Sequence, residues 1–244
     1  MRHGTLHPNF IVGIGGSAGA LNAYKALLDA LPSNTGMAFI IVSHIHPTAD
    51  SQLAQILSRH TKMPVMLAST AMPIRANHVY VIPPNADLLI ESYTFKVVSP
   101  RTRRNEQIDL LFISLAEAMG ARAIGIILSG YDGDGTEGCK HIKANGGTTF
   151  AQDMSAEEDG MPLSAQASGC VDFVLPPDKI PDELQRFCSI IALKATLTYR
   201  SRTQKRLLPV LLGNMGWTTL GADKALGRHR LVQFAPEEKT PHAV

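Results

Sequence analysis

Apolar runs and amphipathic stretches alternate along the first two-thirds of this chain. The runs Phe10–Ile14, Met37–Ser43 and Ala123–Leu128 are almost continuously apolar, which is typical of parallel strands buried on both faces. Between the first two runs, apolar residues recur at helical spacing over Ala20–Leu31, which predicts an amphipathic helix. The alternation predicts an α/β fold with a doubly wound, mainly parallel sheet and helices on both faces.

The middle of the chain interrupts this alternation. Between Asn77 and Val98, short apolar runs are separated by turn residues, which predicts antiparallel hairpins at the edge of the sheet. Asp109 precedes a helical pattern that ends at a glycine, which predicts a helix with Asp109 as its N-cap. The remaining predicted elements are a helix from Asp50 or Ser51 to Arg59, strands Val65–Ala68, Thr148–Ala151 and Asp172–Leu175, a helix from near Thr136 to Asn145, and a helix from Pro181 to about Thr198.

The residue composition of the chain changes after Tyr199. A basic run is followed by an apolar stretch broken by proline and glycine, and the last residues are polar. We therefore expect residues 1–198 to form one catalytic domain and residues 199–244 a basic and apolar appendage or linker, partly disordered.

Composition narrows the class of protein. With 244 residues, 45% hydrophobic and 18% charged, the chain is long and apolar enough to bury a sizeable core. Its net charge of +2 is too small to indicate a nucleic-acid partner, and no apolar run approaches membrane-spanning length. The three scattered cysteines favour a reducing compartment over a disulfide framework. We expect a cytoplasmic protein without membrane insertion.

The segment Gly15–Gly19 carries the strongest chemical signal. It fits G-x-S-x-G, a sharp strand-to-helix turn that exposes a serine, here Ser17, in strained backbone. The overlapping pattern of Gly13, Gly15 and Ala18 also fits a dinucleotide-binding fingerprint. A third interpretation makes Ser17 a simple helix N-cap. This segment alone leaves all three open.

The residues at the ends of the other strands favour the interpretation of Ser17 as an exposed nucleophile. A serine nucleophile needs a histidine base and a carboxylate to orient that base. His44 follows the second strand and Asp132 and Asp134 follow a later one, so these groups should meet Ser17 at one edge of the sheet. A dinucleotide site would instead place a carboxylate where His44 stands. No ligand set around His46 or the two aspartates has zinc or calcium spacing, so we expect no metal and no cofactor.

Several separated motifs together resemble one known family. The segments GIGGSAGA, VSHIHP, VYVIPPN, IDLLFISLA, GIILSGYDGDGTEG and AQD…GMP…A, in this order, resemble the catalytic domain of the chemotaxis protein-glutamate methylesterases, the CheB family. The resemblance covers about Phe10 to Leu197. It implies a doubly wound parallel sheet with an antiparallel edge hairpin. It also implies hydrolysis of γ-glutamyl methyl esters on cytoplasmic helices of methylated chemoreceptors, with release of methanol; some members also deamidate glutamines.

The resemblance assigns roles by position in the motifs. Ser17 corresponds to the nucleophile, His44 to the base and Asp134 to the orienting carboxylate. The backbone N–H groups of Ala18 and Tyr131 correspond to the oxyanion hole. A non-catalytic signalling or scaffold domain of the same fold remains an alternative, as does the dinucleotide-binding module.

Four features depart from the family pattern or go beyond it. Ala18 stands where related enzymes often have threonine, so the backbone alone would serve there. Only nine residues precede Phe10, which leaves no room for an N-terminal receiver domain unless the chain is a fragment. The sequences of the motif loops are closest to those of methylesterase domains that are fused to a receptor methyltransferase. Such a methyltransferase is therefore a candidate partner. The cations Arg101, Arg103 and Arg104 are either a solvated loop or a surface that steers acidic substrates.

Overall fold

The computed structural model describes residues 7–44 and 52–187, together with the short strands at residues 218–219 and 231–232. Its elements are β1 (Ile11–Gly16), α1 (Ala20–Ala30), β2 (Ala38–Ser43), α2 (Leu53–Leu57), β3 (Val65–Leu67), β4 (His78–Val81), β5 (Asp87–Glu91), β6 (Thr94–Val98), α3 (Gln107–Met119), β7 (Ala123–Ile127), α4 (Thr136–Ala144), β8 (Thr148–Gln152), α5 (Gly160–Ala167), β9 (Phe173–Leu175), β10 (Thr218–Thr219) and β11 (Leu231–Val232). The last two strands pair with each other antiparallel.

The main sheet has seven strands in the order β3-β4-β2-β1-β7-β8-β9, and every pairing in it is parallel. All residues of β1, β7 and β8 are buried, as expected for strands covered on both faces. Helices α1, α2, α4 and α5 connect β1 to β2, β2 to β3, β7 to β8 and β8 to β9, whereas a loop without a helix connects β3 to β4. The predicted α/β fold with a mainly parallel sheet is therefore confirmed.

The prediction for residues 77–98 was wrong in part. β4 is an inner strand that pairs parallel with both β2 and β3, and its Tyr80 and Val81 are fully buried. Only β5 and β6 form an antiparallel hairpin, and it is a separate two-stranded sheet. The uniformly apolar β4 has the pattern of a central strand, but the prolines that follow it suggested a hairpin turn.

Helix α3 packs tightly across the centre of the sheet. Phe112 occupies the space beside Gly13, where a Cβ would lie 2.7 Å from its ring. Ile108 does the same at Gly15, where a Cβ would lie 2.4 Å from its Cγ2 atom. The missing side chains on β1 let the helix approach closely, which fixes its first turn beside the end of that strand.

The ends of two predicted helices fall outside the described residues or differ from the prediction, and one predicted domain boundary is left untested. The predicted capping residues Asp50 and Ser51 lie outside the described residues, and α2 ends at Leu57 rather than Arg59. Residues 180–187 are helical, and the predicted continuation to Thr198 lies outside the described residues. The chain divides into compact units at Met1–Gln185 and Arg186–Val244, and the predicted boundary after residue 198 stays a prediction.

Two further findings concern the described residues only. Cys139 and Cys170 are free thiols, both buried. No helix in the described part of the chain combines the length and apolar character that crossing a membrane would require.

Candidate active site

The predicted site residues follow neighbouring strands at one edge of the sheet. Gly16 of β1 stands beside Ser43 of β2, so Ser17 and His44 each follow this pair directly. On the other side of β1, the N–H of Ser17 donates a hydrogen bond to the carbonyl oxygen of Ser129 at 2.8 Å, which ties the serine to the loop after β7. The topology thus brings Ser17, His44 and the loop that carries Asp134 together, as the sequence predicts.

The turn at Ser17 is sharp, but the backbone strain that the motif predicts at Ser17 is not found at that residue. The left-handed residue is Gly19, with φ of 70°, and Ser17 is absent from the residues with positive φ. Glycine adopts this backbone at little cost. Gly19 is also the N-cap of α1, without a side-chain cap, so the interpretation of Ser17 as an N-cap was wrong. Ser17 is left half-exposed at the edge of the sheet.

His44 and Asp134 form a buried pair. Nε2 of His44 lies 2.6 Å from Oδ2 of Asp134, and the two side chains are 7% and 0% exposed. Because Asp134 acts here as an acceptor, Nε2 carries the hydrogen, and Nδ1 is the basic nitrogen left for a proton donor. Nδ1 lies 3.7 Å from Oδ2 of Asp132. Within the described residues no hydrogen bond joins His44 to the Ser17 hydroxyl, a contact that often forms only once substrate is bound.

The start of α3 holds the Asp134 carboxylate in place. Oδ2 accepts a hydrogen bond from the N–H of Ile108 at 3.0 Å, and Oδ1 accepts one from the N–H of Asp109 at 2.9 Å. Asp134 therefore caps a helix distant in sequence, since these N–H groups have no partner within α3. A carboxylate with both oxygens bonded in this way presents a fixed acceptor to His44.

Asp109 was predicted to cap α3, and that prediction was wrong. Asp109 lies inside the first turn of α3, and its Oδ1 accepts a hydrogen bond from the N–H of Gly138 in α4 at 2.6 Å. The two helices thus exchange caps: Asp134, just before α4, caps α3, and Asp109, in α3, caps α4. The N-cap of α4 is Gly135, without a side-chain cap of its own.

This exchange of caps places two carboxylates close together. Burial raises the pKa of Asp109 to about 6; the Gly138 N–H opposes the shift and the charge of Asp134 adds to it. An acid whose pKa is raised on folding binds protons more readily in the native state. Between the unfolded pKa, about 4, and the native value, stability therefore falls as pH rises.

Asp109→Asn is expected to flatten this pH dependence. The amide oxygen still accepts from Gly138, but the charge is gone. Because Asp109 is partly exposed, screening limits the gain in unfolding free energy at pH 8 to about 1–2 kcal/mol. The gain should vanish near pH 4, as urea unfolding at several pH values would measure. Asp178→Asn, at an exposed ion pair, is the control; equal pH slopes in wild type and Asp109→Asn would contradict the prediction.

The loop after β7 is clamped by the segment before α5. The N–H of Gly130 donates to the carbonyl oxygen of Glu158 at 2.9 Å, and the N–H of Met161 donates to the carbonyl oxygen of Gly130 at 2.8 Å. Within the described residues, no acceptor is found for the backbone N–H of Ala18 or of Tyr131. Both predicted oxyanion donors therefore retain an N–H that a substrate oxygen could use, and their role stays a prediction.

Gly160 is expected to be intolerant of any side chain. A Cβ there would lie 2.1 Å from the carbonyl oxygen of Tyr131, and backbone cannot move aside as a flexible side chain can. Gly160→Ala should displace Tyr131 and lower the rate of the ester hydrolysis that the sequence predicts by about tenfold to a hundredfold, the scale of a small misplacement in an active site. It should also lower the unfolding free energy by about 2–3 kcal/mol. Ester-hydrolysis rates and urea titrations measure the two effects.

The matched control for this substitution is Gly133→Ala in the same loop. Its Cβ would approach only the Ser164 side-chain oxygen, at 3.1 Å, and a rotatable hydroxyl can move. This variant should keep wild-type activity and stability. Full activity in Gly160→Ala would show instead that the backbone at Tyr131 is not needed.

The alternative interpretations find no support in this geometry. Gly13 and Gly15 are covered by side chains of α3, so the glycines serve helix–sheet packing and leave no approach for a pyrophosphate. His46 lies outside the described residues. Among the described residues, no group of three His, Cys, Asp or Glu side chains is arranged to hold a metal ion.

A cavity of about 720 Å³ lies away from these residues, at the opposite edge of the sheet. It is lined by the C-terminal end of α1 and by Arg59, His60 and Lys62, and His60 pairs with Asp29 at 2.9 Å. None of Ser17, His44 and Asp134 lines it. The candidate active site is therefore distinct from this cavity.

Comparisons with known proteins agree with this geometry. A family model described as CheB methylesterase matches residues 12–184. A putative protein-glutamate methylesterase/protein-glutamine glutaminase of Leptospira interrogans serogroup Icterohaemorrhagiae serovar copenhageni is 38% identical over 173 residues, which cover 69% of this chain and 90% of the relative.

Two more relatives extend the likeness to a longer protein and to a solved structure. The protein-glutamate methylesterase/protein-glutamine glutaminase of Hydrogenovibrio crunogenus is 32% identical over 181 residues, which cover 71% of this chain but only 48% of that protein. The crystal structure of the Thermotoga maritima CheB methylesterase catalytic domain superposes with a TM-score of 0.67 at 28% identity, covering 73% of this chain and 98% of that one.

Proposed function

Because this chain belongs to the CheB methylesterase family, we propose that it is a serine esterase that hydrolyses γ-glutamyl methyl esters on chemoreceptor proteins and releases methanol. The observation that carries the proposal is the buried 2.6 Å contact between His44 and Asp134 at the edge where the Ser17 turn also lies. A serine, a histidine and a fixed carboxylate on adjacent loops are the groups that acyl transfer requires.

The proposed first half-reaction forms an acyl-enzyme. Oγ of Ser17 attacks the ester carbonyl carbon while Nδ1 of His44 takes the hydroxyl proton. The oxyanion accepts hydrogen bonds from the N–H groups of Ala18 and Tyr131, each worth about 3 kcal/mol of barrier. Asp134 holds the ring and stabilises its positive charge. The tetrahedral intermediate then expels the methoxy group, which leaves as methanol with the proton from His44.

The second half-reaction reverses these roles with water. His44 deprotonates a water molecule that attacks the acyl carbon, and the Ser17 oxygen leaves with the proton restored, which frees a glutamate carboxylate. The relatives are also named glutaminases. The same steps convert a glutamine side chain to glutamate when ammonia is the leaving group, so we propose deamidation as a second reaction of this site.

The family's substrates are methylated chemoreceptors, and we extend this to the partners and location of this protein. The substrate helices of chemoreceptors are cytoplasmic, and we place this chain in the cytoplasm with them. A receptor methyltransferase, which would supply the esters, is the second partner that we propose. No metal or cofactor enters the proposed mechanism.

The test is a methanol-release assay on the purified chain with a methyl-esterified receptor or a glutamyl methyl ester peptide. We expect time-dependent methanol that requires Ser17 and is unaffected by a metal chelator. A correctly folded chain that releases no methanol above buffer would overturn the proposal and favour a non-catalytic relative of the same fold.

A further inference from the structure

Two oppositely charged segments flank the candidate active site. One is the basic loop, residues 101–104, which contains Arg101, Arg103 and Arg104. The other is the acidic segment, residues 157–159, which contains Glu157, Glu158 and Asp159. Contacts in the described structure place them on different sides of the Ser17 turn.

The backbone of the basic loop is held firmly. The N–H and hydroxyl of Thr102 both donate to Oδ2 of the buried Asp87 at 2.6 Å. Gln107 anchors the loop further, since its Nε2 donates to the carbonyl oxygen of Arg103 at 2.5 Å. The arginine side chains therefore project from a preorganised loop, which reduces the entropy that a partner must remove on binding.

The basic loop adjoins the histidine side of the site. Nδ2 of Asn105, next to the loop, donates to Oδ2 of Asp132 at 3.0 Å. The same Asp132 oxygen lies 3.7 Å from Nδ1 of His44. One carboxylate thus connects the end of the basic loop to the proposed base.

Two of the three cations are available to a partner. Arg103 pairs with Glu106 at 2.8 Å, so its charge is partly compensated. Arg104 is exposed and Arg101 half-exposed, and within the described residues neither guanidinium has an ion pair or hydrogen bond. The loop therefore offers uncompensated positive charge at the rim.

The acidic segment adjoins the serine side. A Cβ on Gly19 would lie 2.7 Å from Cβ of Glu157, and the N–H of Glu158 donates to Oγ of Ser129 at 2.9 Å. Glu157 and Asp159 are exposed. The hydrogen bond from the Tyr131 hydroxyl to Glu158, together with the charge of that carboxylate, raises the pKa of the tyrosine. A substrate carboxylate on this side would meet like charges.

We propose that the basic loop and the acidic segment, together called the bipolar rim, orient the protein substrate. A substrate segment that has carboxylates on one side of the scissile glutamyl ester binds with that side on the basic loop and with its uncharged or basic side on the acidic segment. The inference rests on the proposed esterase function and adds a preferred orientation of the bound substrate, which the reaction itself does not require. Attraction on one side and repulsion on the other both favour the same orientation.

Two isomeric peptides test the proposal. Each carries one central glutamyl methyl ester with three glutamates on one side and three serines on the other, and the two differ in which side is acidic. We expect kcat/KM to differ between them by about five- to tenfold, since rim charges contribute modestly. The difference should lie in KM and shrink at 0.5 M salt, because salt screens exposed charges.

Matched double variants separate the charges from the fold. Arg101→Gln with Arg104→Gln should reduce the preference to the part that the acidic segment supplies and leave kcat unchanged, because neither side chain belongs to the catalytic machinery. Arg59→Gln with Lys62→Gln removes two cations at the opposite edge of the sheet and should leave the preference intact.

The outcomes distinguish the two proposals. Methanol from both peptides with equal kcat/KM, or a preference that loss of Arg101 and Arg104 does not reduce, would overturn the bipolar rim and leave the esterase in place. No methanol from either peptide or from a neutral reference ester would overturn the esterase function itself.

Discussion

Ser17→Ala is expected to abolish methanol release, a loss of about 10⁵-fold or more in kcat. Alanine has no atom that can form the acyl-enzyme, so only slow attack by water would remain. The fold should tolerate the change, because the Ser17 N–H bond to Ser129 is made by the backbone and survives. The methanol assay and thermal unfolding, run on the same preparation, measure both effects.

Ser33→Ala is the matched control, since it removes an exposed serine hydroxyl at the opposite edge of the sheet. It should leave turnover and the melting temperature unchanged. If Ser17→Ala kept a tenth of the wild-type rate, Ser17 would lose its role as nucleophile and the proposed mechanism would fall.

Asp134→Asn is expected to lower turnover by roughly ten-thousandfold, as loss of the correct imidazole tautomer does in serine triads. An amide has a single oxygen, whereas the carboxylate serves three donors: the N–H groups of Ile108 and Asp109, and Nε2 of His44. One donor must then face an NH₂ group. We therefore expect a further loss of about 1–3 kcal/mol in unfolding free energy. Methanol release and urea unfolding separate the catalytic effect from the structural one.

Asp132→Asn provides the comparison for Asp134. Asp132 lies at 3.7 Å from the other ring nitrogen and its side chain is 35% exposed, so its substitution should change turnover only a few-fold. A small effect at Asp134 together with a large effect at Asp132 would reverse the two assignments.

The sequence predicted the parallel sheet and the residues at its edge because both depend on local pattern. Continuous apolar runs specify buried strands, and polar residues directly after β1, β2 and β7 must meet where parallel strands end. Ser17, His44 and Asp134 were predicted for this reason, with the family resemblance deciding between Asp134 and Asp132.

The errors arise where a residue acts on an element distant in sequence. Asp109 stands at a plausible N-cap position for α3, yet it caps α4 and leaves α3 to Asp134, an exchange that only helix packing reveals. The contacts of Asn105 with Asp132 and of Gly160 with Tyr131 likewise depend on loops meeting in space. The sequence analysis predicted no helix over Gly160–Ala167, so it gave no signal for the contact of Gly160.

Four helices begin at the edge that holds Ser17: α1 directly after it, α3 and α4 around Asp134, and α5 beside Tyr131. Each start carries the positive end of a backbone dipole, about half an elementary charge. The positive ends of α3 and α4 are met by the Asp134 and Asp109 carboxylates, whereas α1 begins directly after Ser17 with no acidic residue in its first turn, so its positive end favours an anion at this spot before any ester arrives. This site should therefore bind a tetrahedral boronate or phosphonate more tightly than it binds the neutral substrate.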